Sequence, residues 1–268
     1  MKVSVIMPVY NTKKFLKDAI ESILNQTFCD FEFIIIDDCS NDWSFELCEK
    51  YALIDNRIKL YKNQNNMWIS FTRNKLISLT NSNFILIQDS DDISFNNRLK
   101  LSYDFLQNNN TYWVVSWNNE IIDEQDNIIW YREYVNNIKN IILKKSPISQ
   151  PSCMFRKDMF LEVWWYDKNL DYWEDYDLWL KFYKNWYKIK NLNDFLIKYR
   201  IRKWQTKSEK LKDTIKNTIF IQKRATREYK IKSSISDKIY IFLEELLIFL
   251  PNNLVLSLFK KLEYKKWK

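Results

Sequence analysis

The chain has 268 residues, of which 46% are hydrophobic, so it can bury one sizeable core and still carry a short extension. Its four cysteines form no C-x-x-C pair, which argues against a disulfide-framed secreted protein and against a thiolate metal site. The formal net charge is +8, and the first apolar run is too short for a signal peptide. We therefore expect one catalytic domain in a reducing cytoplasm.

Short β-branched runs alternate with amphipathic segments up to residue 108, which predicts an α/β fold that opens with a β-α-β unit. The predicted strands of this part cover residues 2–8, 31–37, 58–61 and 83–88, and the predicted helices cover 14–26, 45–51, 70–79 and 96–108. Further strands are predicted at 113–118, 120–123, 128–131 and 152–155, followed by a helix at 174–184. The later strands are expected to be antiparallel additions to a mixed, mainly parallel sheet flanked by helices.

Three acidic clusters lie where apolar segments end: IIIDDCSND from Ile34, ILIQDSDD from Ile85 and WEDYD from Trp173. Ligands of open α/β sheets gather at the carboxyl ends of parallel strands, so the first two clusters are expected to meet at one sheet edge. Carboxylates held that close repel one another unless a divalent cation neutralises them, and all-oxygen ligation is typical of Mg²⁺ or Mn²⁺. The clusters therefore predict a metal-dependent site for an anionic, phosphate-bearing substrate.

The excess positive charge is confined to the C-terminal part of the chain. Residues 200–268 carry 18 Lys+Arg against 7 Asp+Glu, whereas the preceding residues have a slight acidic excess. Aromatic residues are not interleaved with the basic run, which argues against nucleic-acid binding. The apolar segment 239–262 is interrupted by Glu244, Glu245 and Pro251, so a transmembrane span is not predicted. Two interpretations stay open: amphipathic helices that pack on the catalytic domain, and attachment to an anionic membrane surface.

Glycine is absent, although average usage predicts about 19 in this length. Tryptophans stand in turn or cap contexts instead, at Trp43, Trp68, Trp164, Trp165 and Trp186. A bulky aromatic side chain is unfavourable where φ is positive. Either the fold has adapted to these residues, or they are glycine codons read as tryptophan, and we favour the second hypothesis.

The order of motifs resembles the family 2 glycosyltransferases with a GT-A fold, especially bacterial enzymes that build surface polysaccharides and teichuronic-type polymers. The matching segments are VSVIMPVYN at Val3, IIIDDCSND at Ile34, ISFTRN at Ile69, LIQDSDD at Leu86, WEDYDLWLK at Trp173 and KYRIRKWQTKS at Lys198. The resemblance covers residues 1–208. Its departures lie in turns, because the family usually has glycine where Trp43, Trp68, Trp165, Trp186 and Trp204 stand.

The resemblance implies how a nucleotide-sugar donor would be bound. Pro8 and Tyr10 would line the nucleotide pocket, and Asp38 would accept a hydrogen bond from the base. Arg73 would face the nucleotide or diphosphate, since its guanidinium fork matches phosphate oxygens. Asp89 would face the ribose, on the expectation that residues 89–91 are extended and that positions 89 and 91 share one side.

The resemblance also implies the cation site and the catalytic groups. Asp91, with Asp92 beside it, would hold Mn²⁺ or Mg²⁺. Asp175 would be the catalytic base that takes a proton from the acceptor hydroxyl. Glu174 would contact the acceptor or steady the loop, and Asp177 is expected to be a surface or first-turn acid.

The closing segment carries two arginines for the substrate. Arg200 and Arg202 alternate along the chain and are expected to point the same way, with Arg202 assigned to the diphosphate.

The resulting hypothesis is a metal-dependent, inverting glycosyltransferase that acts on a glycan or lipid-linked acceptor in cell-surface polysaccharide synthesis, in the cytoplasm and at the inner membrane face. Residues 1–205 would form the catalytic domain and residues 206–268 a basic, partly amphipathic helical extension. Two alternatives stay open: a nucleotide-sugar-binding subunit that kept the fold and lost turnover, and a nucleotidyltransferase. The second lacks support because no glycine-rich phosphate loop follows the first strand.

Overall fold

A computed structural model of the chain describes residues 1–163, 165–170, 173–202, 211–251 and 254–255. The described strands are β1 (Val3–Val9), β2 (Phe31–Asp37), β3 (Ile58–Lys62), β4 (Phe84–Ile87), β5 (Ile93–Ser94), β6 (Tyr112–Ile122), β7 (Ile128–Arg132), β8 (Met154–Arg156) and β9 (Lys188–Arg200). The described helices are α1 (Lys13–Leu24), α2 (Ser44–Ile54), α3 (Trp68–Leu79), α4 (Arg98–Asn108), α5 (Ile138–Ile141), α6 (Asp158–Val163), α7 (Glu174–Lys184), α8 (Leu211–Arg227) and α9 (Ile235–Leu247). The predicted β-α-β opening and the helix at 174–184 are confirmed. The expected domain boundary at residue 205, together with Trp164 and Trp204, lies outside the described residues.

One mixed sheet has the strand order β3-β2-β1-β4-β8-β6-β9-β5, with β7 paired to β6. The first four strands of that order are parallel to one another, whereas β8 is antiparallel to both β4 and β6. The carboxyl ends of β1, β2 and β4 therefore lie at one edge, as the acidic clusters predicted. Asp37 closes β2 there, and the second acidic cluster follows β4.

The parallel strands β1, β2 and β4 are buried on both faces, as their apolar runs predicted, whereas the edge strand β3 is partly exposed. In β2, Ile34 and Ile36 pack into the core that includes Trp179, and Phe33 and Ile35 pack into the core on the opposite face. Burial on both faces fixes the register of each strand, because a slip by one residue would exchange its two faces. The acidic residues that follow are consequently held in fixed positions.

Two parts of the later sheet differ from the sequence prediction. The strands expected at 113–118 and 120–123 form one strand, β6, which continues through Asn119. The 13-residue strand β9 was not predicted, apart from the extended closing segment at its end. Its sequence KIKNLNDFLIKYR has Asn and Asp in the middle, which weaken a strand pattern. Pairing with β6 and β5 stabilises β9 and carries Arg200 to the acidic cluster after β4.

Of the C-terminal helices α8 and α9, α8 packs against the core of the protein. Ile221 and Ala225 of α8 are buried in the same core as Tyr176 and Trp179 of α7. Arg224 of α8 adds ion pairs, 2.8 Å to Asp167 and 3.3 Å to Asp177. The described residues contain no helix that is long and apolar enough to cross a membrane.

Five tryptophans adopt the left-handed backbone conformation that favours glycine. Nine described residues have positive φ, and the tryptophans among them are Trp43, Trp68, Trp165, Trp173 and Trp186, with φ between 60° and 70°. Trp173 is an addition to the positions expected from the sequence, and it stands immediately before Glu174. The left-handed conformation costs free energy in a residue with a bulky side chain. Its repeated occurrence at tryptophan therefore supports the hypothesis that glycine belongs at these positions.

The steric cost of a left-handed backbone is clearest at Trp186, which follows the C-terminal end of α7. The Tyr187 N–H donates to the Phe182 carbonyl (3.0 Å) and the Trp186 N–H donates to the Tyr183 carbonyl (3.2 Å). These two bonds form a Schellman motif, in which the left-handed position is usually glycine. The Trp186 side chain is 88% exposed, so it gains little packing in return.

We predict that Trp186→Gly raises the free energy of unfolding by about 1 kcal/mol, because glycine removes the steric cost of the left-handed backbone. Urea denaturation measures the change. Trp130→Gly is the control: this tryptophan lies in β7 without a positive φ, and its replacement should lower stability. Destabilisation by Trp186→Gly equal to that of the control would contradict the argument.

Candidate active site

The second acidic cluster forms a turn across the end of β4. The Asp92 N–H donates to the Asp89 carbonyl at 3.2 Å, and the Gln88 side-chain amide donates to the carbonyls of Asp89 and Asp92 at 3.0 and 2.7 Å. The expected extended conformation of residues 89–91 is therefore wrong, because backbone and glutamine hydrogen bonds close the chain on itself. The turn separates the carboxylates: Asp89 contacts Arg73, and Asp91 contacts Arg202.

Arg73 of α3 connects two of the three acidic clusters. Its guanidinium is buried, donates 3.0 Å to the Asp89 carboxylate and forms a short ion pair with Glu174 at the start of α7. Tyr166 lies against the same guanidinium, 5.8 Å from it. Burial alone would lower the pKa of Arg73, but the two carboxylates raise it, so the guanidinium stays charged.

Glu174 is buried beside this arginine. Burial raises the pKa of Glu174 to about 7, even though Arg73 acts in the opposite direction and Asp175 adds to the rise. A carboxyl group with a pKa near neutrality changes its protonation state under physiological conditions. The start of α7 therefore holds two adjacent carboxyl groups in different environments.

Asp175 is less buried than Glu174, and one of its carboxylate oxygens accepts the Tyr176 N–H at 2.7 Å. It stands at the N-terminal end of α7, where the helix dipole favours a negative charge. Asp177 was expected to be a surface or first-turn acid; it lies in the first turn of α7, but it is not at the surface. It is fully buried and accepts from Tyr229 (2.5 Å) and pairs with Lys181 (2.9 Å), because α8 and the chain after it cover this side of the helix.

Asp91 and Asp92 occupy the far side of the turn. Burial raises the pKa of both carboxyl groups, most strongly at Asp92, where Asp91 and Asp89 add repulsion. Asp92 Oδ1 accepts the Arg200 N–H at 2.9 Å, whereas its Oδ2 is buried and has no hydrogen-bond partner among the described residues. A buried, unpaired carboxylate oxygen is costly, so this position is suited to a cation.

Arg200 and Arg202 both contact Asp91, but they differ in burial and in the atom that they contact. Arg200 is buried, and its guanidinium donates 2.9 Å to each of the Asp91 and Asp123 carbonyls. Arg202 is partly exposed and pairs with the Asp91 carboxylate at 2.9 Å. Strand β9 ends at Arg200, and Arg202 lies two residues further along the chain. Arg200 holds the acidic turn from inside, and Arg202 lies at its surface.

The first acidic cluster borders a separate group of polar side chains. Asp38 is buried, and its Oδ1 accepts from the Asn63 side chain at 2.7 Å and from the Met67 N–H at 2.9 Å. Lys75 donates to the other end of the Asn63 amide at 2.8 Å. Trp68, with its left-handed backbone, directly follows Met67 and so adjoins this group.

The loop after β1 joins the two strand ends. Pro8 is buried at the end of β1, and Tyr10 just beyond it is 47% exposed. Thr12 donates to the Ser90 hydroxyl at 3.0 Å, which ties this loop to the acidic turn. Tyr10 therefore offers an accessible aromatic face beside the strand ends.

Two polar residues of the site were not predicted. Asn63 orients Asp38, and Tyr166 packs on Arg73. Asn63 directly follows β3, the strand beside β2, and its place two residues after the strand predicted at 58–61 was a usable signal. Tyr166 comes from an irregular segment with no such signal.

The residues present fit a divalent cation that is shared with a substrate. Among the described residues there is no group of three or more side chains that would form a complete metal site. Mg²⁺-type ions are commonly bound by one or two carboxylates together with substrate phosphates. Asp91 and Asp92 supply such a pair, with the unpartnered Asp92 oxygen as the observation that favours it.

Fold and site together define an α/β protein whose carboxylates and arginines gather at the carboxyl ends of parallel strands. The sequence profile of the family described as "Glycosyl transferase family 2" matches residues 4–164, more than half of the chain. The chain therefore belongs to glycosyl transferase family 2.

Two relatives show the breadth of the match. The O-antigen biosynthesis glycosyltransferase WbnJ of Escherichia coli is 34% identical over 219 residues, which cover 78% of this chain and 83% of WbnJ. The putative teichuronic acid biosynthesis glycosyltransferase TuaG of Bacillus subtilis is 25% identical over 248 residues, which cover 87% of this chain and 91% of TuaG. The resemblance to bacterial glycosyltransferases of surface polymers is confirmed.

A solved structure confirms the fold. The mannosyltransferase PcManGT from Pyrobaculum calidifontis, in complex with GDP-Man and Mn²⁺, superposes with a TM-score of 0.68 over 96% of this chain and 72% of that one. Its sequence identity is 14%, so the likeness concerns the fold alone. The mixed α/β architecture is the predicted GT-A fold.

Two buried glutamates predict opposite pH dependences of stability. The folded-state pKa of Glu174 is raised to about 7 from an ordinary value of 4.5, so its contribution to stability is present below pH 4.5 and lost as the pH rises through 7. Glu174→Gln should flatten the free energy of unfolding across this window, as measured by urea denaturation at several pH values.

Glu32 provides the contrasting case. Burial would raise its pKa, but hydrogen bonds from Lys59, Ser4 and Asn81 hold it at about 2, against an ordinary 4.5. Its contribution is therefore lost as the pH falls from 4.5 to 2, and Glu32→Gln should change only this acid range. Equal effects of the two substitutions in the same window would contradict both assignments.

Proposed function

We propose that this glycosyltransferase is metal-dependent and inverting, and that it moves a sugar from a nucleoside diphosphate to a hydroxyl group of a glycan or lipid-linked acceptor. The observation that carries the proposal is the contact of buried Arg73 with both Asp89 and Glu174. It joins the turn after β4, at the sheet edge where donors bind in open α/β folds, to the helix start that carries Asp175. Donor and catalytic carboxylate would therefore be neighbours.

The donor would lie along the strand ends. Tyr10 would stack on the base, with Pro8 shaping the loop, and Asp38 would accept a hydrogen bond from the base. Asp89 would bind the ribose, and Arg73 beside it would attract the diphosphate. PcManGT, solved with GDP-Man, supports a nucleotide sugar as the ligand of such a fold.

Asp91 and Asp92 would hold Mn²⁺ or Mg²⁺ together with phosphate oxygens of the donor. When bound, the cation would neutralise charge that develops on the leaving diphosphate. Arg202 would supply further positive charge from the surface side of the turn, exchanging its contact with Asp91 for the diphosphate. Arg200 would contribute by holding the turn that presents these groups.

Asp175 would act as the general base. The acceptor oxygen forms a bond to the anomeric carbon from the face opposite the diphosphate, and its proton passes to the Asp175 carboxylate. The bond between the anomeric carbon and the phosphate oxygen breaks, and its electron pair leaves with the nucleoside diphosphate. One displacement of this kind inverts the anomeric configuration. Glu174, held by Arg73, would contact the acceptor or fix the position of Asp175.

The proposed acceptor class is inferred from the names of two relatives. WbnJ and TuaG are named for O-antigen and teichuronic acid biosynthesis, which supports a role in surface-polysaccharide synthesis. Residues 1–205 would form the catalytic domain, and the following helices an extension that α8 anchors to α7.

A catalytically inactive nucleotide-sugar-binding subunit is the second candidate. It is favoured by the left-handed tryptophans beside the site: Trp43 precedes α2, Trp68 adjoins Met67, and Trp173 precedes Glu174. If these side chains are native, they crowd the loops around Asp38 and Asp175. Donor binding without turnover in every metal-loaded preparation would establish this candidate.

We predict that Asp175→Asn lowers the rate of sugar transfer by at least about 100-fold while donor binding is retained, because the base is lost and the donor contacts remain. Asp91→Asn should instead weaken metal-dependent donor binding. Nucleotide release with a panel of nucleoside diphosphate sugars and Mn²⁺ measures the first effect, and calorimetric titration measures the second.

Asp104→Asn is the matched control, since Asp104 is a partly exposed acid that pairs with Lys100 within α4, away from the candidate site. It should leave both measurements unchanged. Full transfer activity in Asp175→Asn would remove the proposed base, and unchanged Mn²⁺-dependent binding in Asp91→Asn would remove the proposed metal ligand.

A further inference from the structure

Helix α9 differs from an ordinary surface helix because apolar side chains face outward and polar side chains face the protein. Its outward face is apolar and continues into the turn that follows, with Ile235 78% and Phe249 83% exposed. The exposed side chains of this apolar face are Ile235, Ile239, Phe242, Leu243, Leu246 and Phe249. At about 100° per residue they form one stripe along the helix. Exposed apolar surface arranged as a continuous stripe indicates an interaction surface.

The inward face of α9 carries the polar groups that hold the helix in this orientation. Glu244 is buried and accepts from the Gln222 side chain of α8 at 2.7 Å. Asp237 is buried, completes a capping box with Ser234 and lies 3.6 Å from Lys144. Rotation of the helix to bury its apolar stripe would break these contacts and expose the inner packing of Ile241 against α8. The apolar face is therefore fixed outward.

Positive charge borders this face. Lys238 lies at one edge of the stripe, and Lys230 and Lys232 stand in the segment that leads into α9; all three are exposed. Glu245 at the same edge is paired with Lys223, which removes most of its repulsion for an anionic partner. The sequence beyond residue 255 adds five lysines and one glutamate. An apolar stripe with a basic border matches the surface of a bilayer that contains anionic lipid.

A second copy of the chain fits the face less well. The stripe runs from Ile235 to Phe249, a length of about 22 Å at 1.5 Å per residue, and a helix is about 10 Å wide. A stable dimer buries roughly 800 Å² per partner, contributed by about 20–30 residues, whereas this stripe offers six exposed apolar side chains. Binding to a lipid surface has no such minimum area, because each apolar side chain that enters the acyl boundary contributes favourable free energy.

We propose that α9 docks on an anionic membrane surface, with the apolar face in the acyl boundary and Lys230, Lys232 and Lys238 at the lipid headgroups. The same packing links the membrane to the catalytic helix. α9 is bound to α8 through Glu244, and Arg224 of α8 is bound to Asp177 of α7. Docking would therefore set the position of Asp175 relative to the bilayer, where a lipid-linked acceptor is presented. This last consequence rests on the proposed transfer reaction, whereas the docking itself does not.

Vesicle sedimentation tests the docking with the full-length chain. Wild-type protein should partition onto vesicles of phosphatidylcholine and phosphatidylglycerol, and much less onto phosphatidylcholine alone. The triple variant Ile239→Ser/Phe242→Ser/Leu246→Ser should bind the mixed vesicles at least about tenfold more weakly. Leu53→Ser is the control: Leu53 is 86% exposed at the end of α2, and its variant should bind like wild type.

A charge variant keeps the test independent of the folding of the triple variant. Lys232→Glu/Lys238→Glu should weaken binding to mixed vesicles and reduce its dependence on salt. Wild-type protein that binds mixed vesicles no better than the triple variant overturns the proposal. That result would overturn the proposal whatever covers the apolar face instead. A second copy of the chain would appear as a dimer in light scattering, and residues 256–268 of the same chain are the other alternative. Vesicle binding without sugar transfer would leave the docking intact and count against the proposed function alone.

Discussion

A desolvated arginine is the interaction on which the candidate site depends. Arg73 is buried between Asp89, which follows a core strand, and Glu174, which begins a core helix. A buried charge is stable only when it is paired, and removal of one partner from such a pair typically costs about 3–5 kcal/mol. The pairing therefore fixes the distance between the two acidic clusters.

The C-terminal helices extend this arrangement rather than adding a separate unit. α8 covers α7 with Ile221 and Ala225 and holds Asp177 through Arg224, so the first turn of the helix that begins with Glu174 is held by Arg73 and by Arg224. α9 depends on α8 through the contact between Glu244 and Gln222. A chain of polar contacts thus runs from α9, with its exposed apolar face, to the carboxylates at the start of α7.

Buried strands and the order of acidic motifs could be predicted from sequence, because apolar runs such as Phe33 to Ile36 specify strands and strand ends specify where ligands gather. Strand β9 could not, since its Asn and Asp residues are stabilised only by pairing with β6. The turn at Asp89 was missed because its closing bonds come from Gln88. The burial of Asp177 depends on α8, whose Arg224 pairs with it. The unusual tryptophans were visible in the sequence, but only the backbone shows that five of them occupy the conformation of glycine.

A double-mutant cycle on Arg73 and Glu174 tests the central constraint most directly. Arg73→Met and Glu174→Gln would be made singly and together, and the free energy of unfolding of each variant would be measured by urea denaturation at neutral pH. If the pair fixes the site, the two effects are coupled by at least about 1 kcal/mol, with the double variant more stable than the sum of the single losses predicts. Additive effects, within about 0.5 kcal/mol, would show that the two clusters are held together by something other than this ion pair.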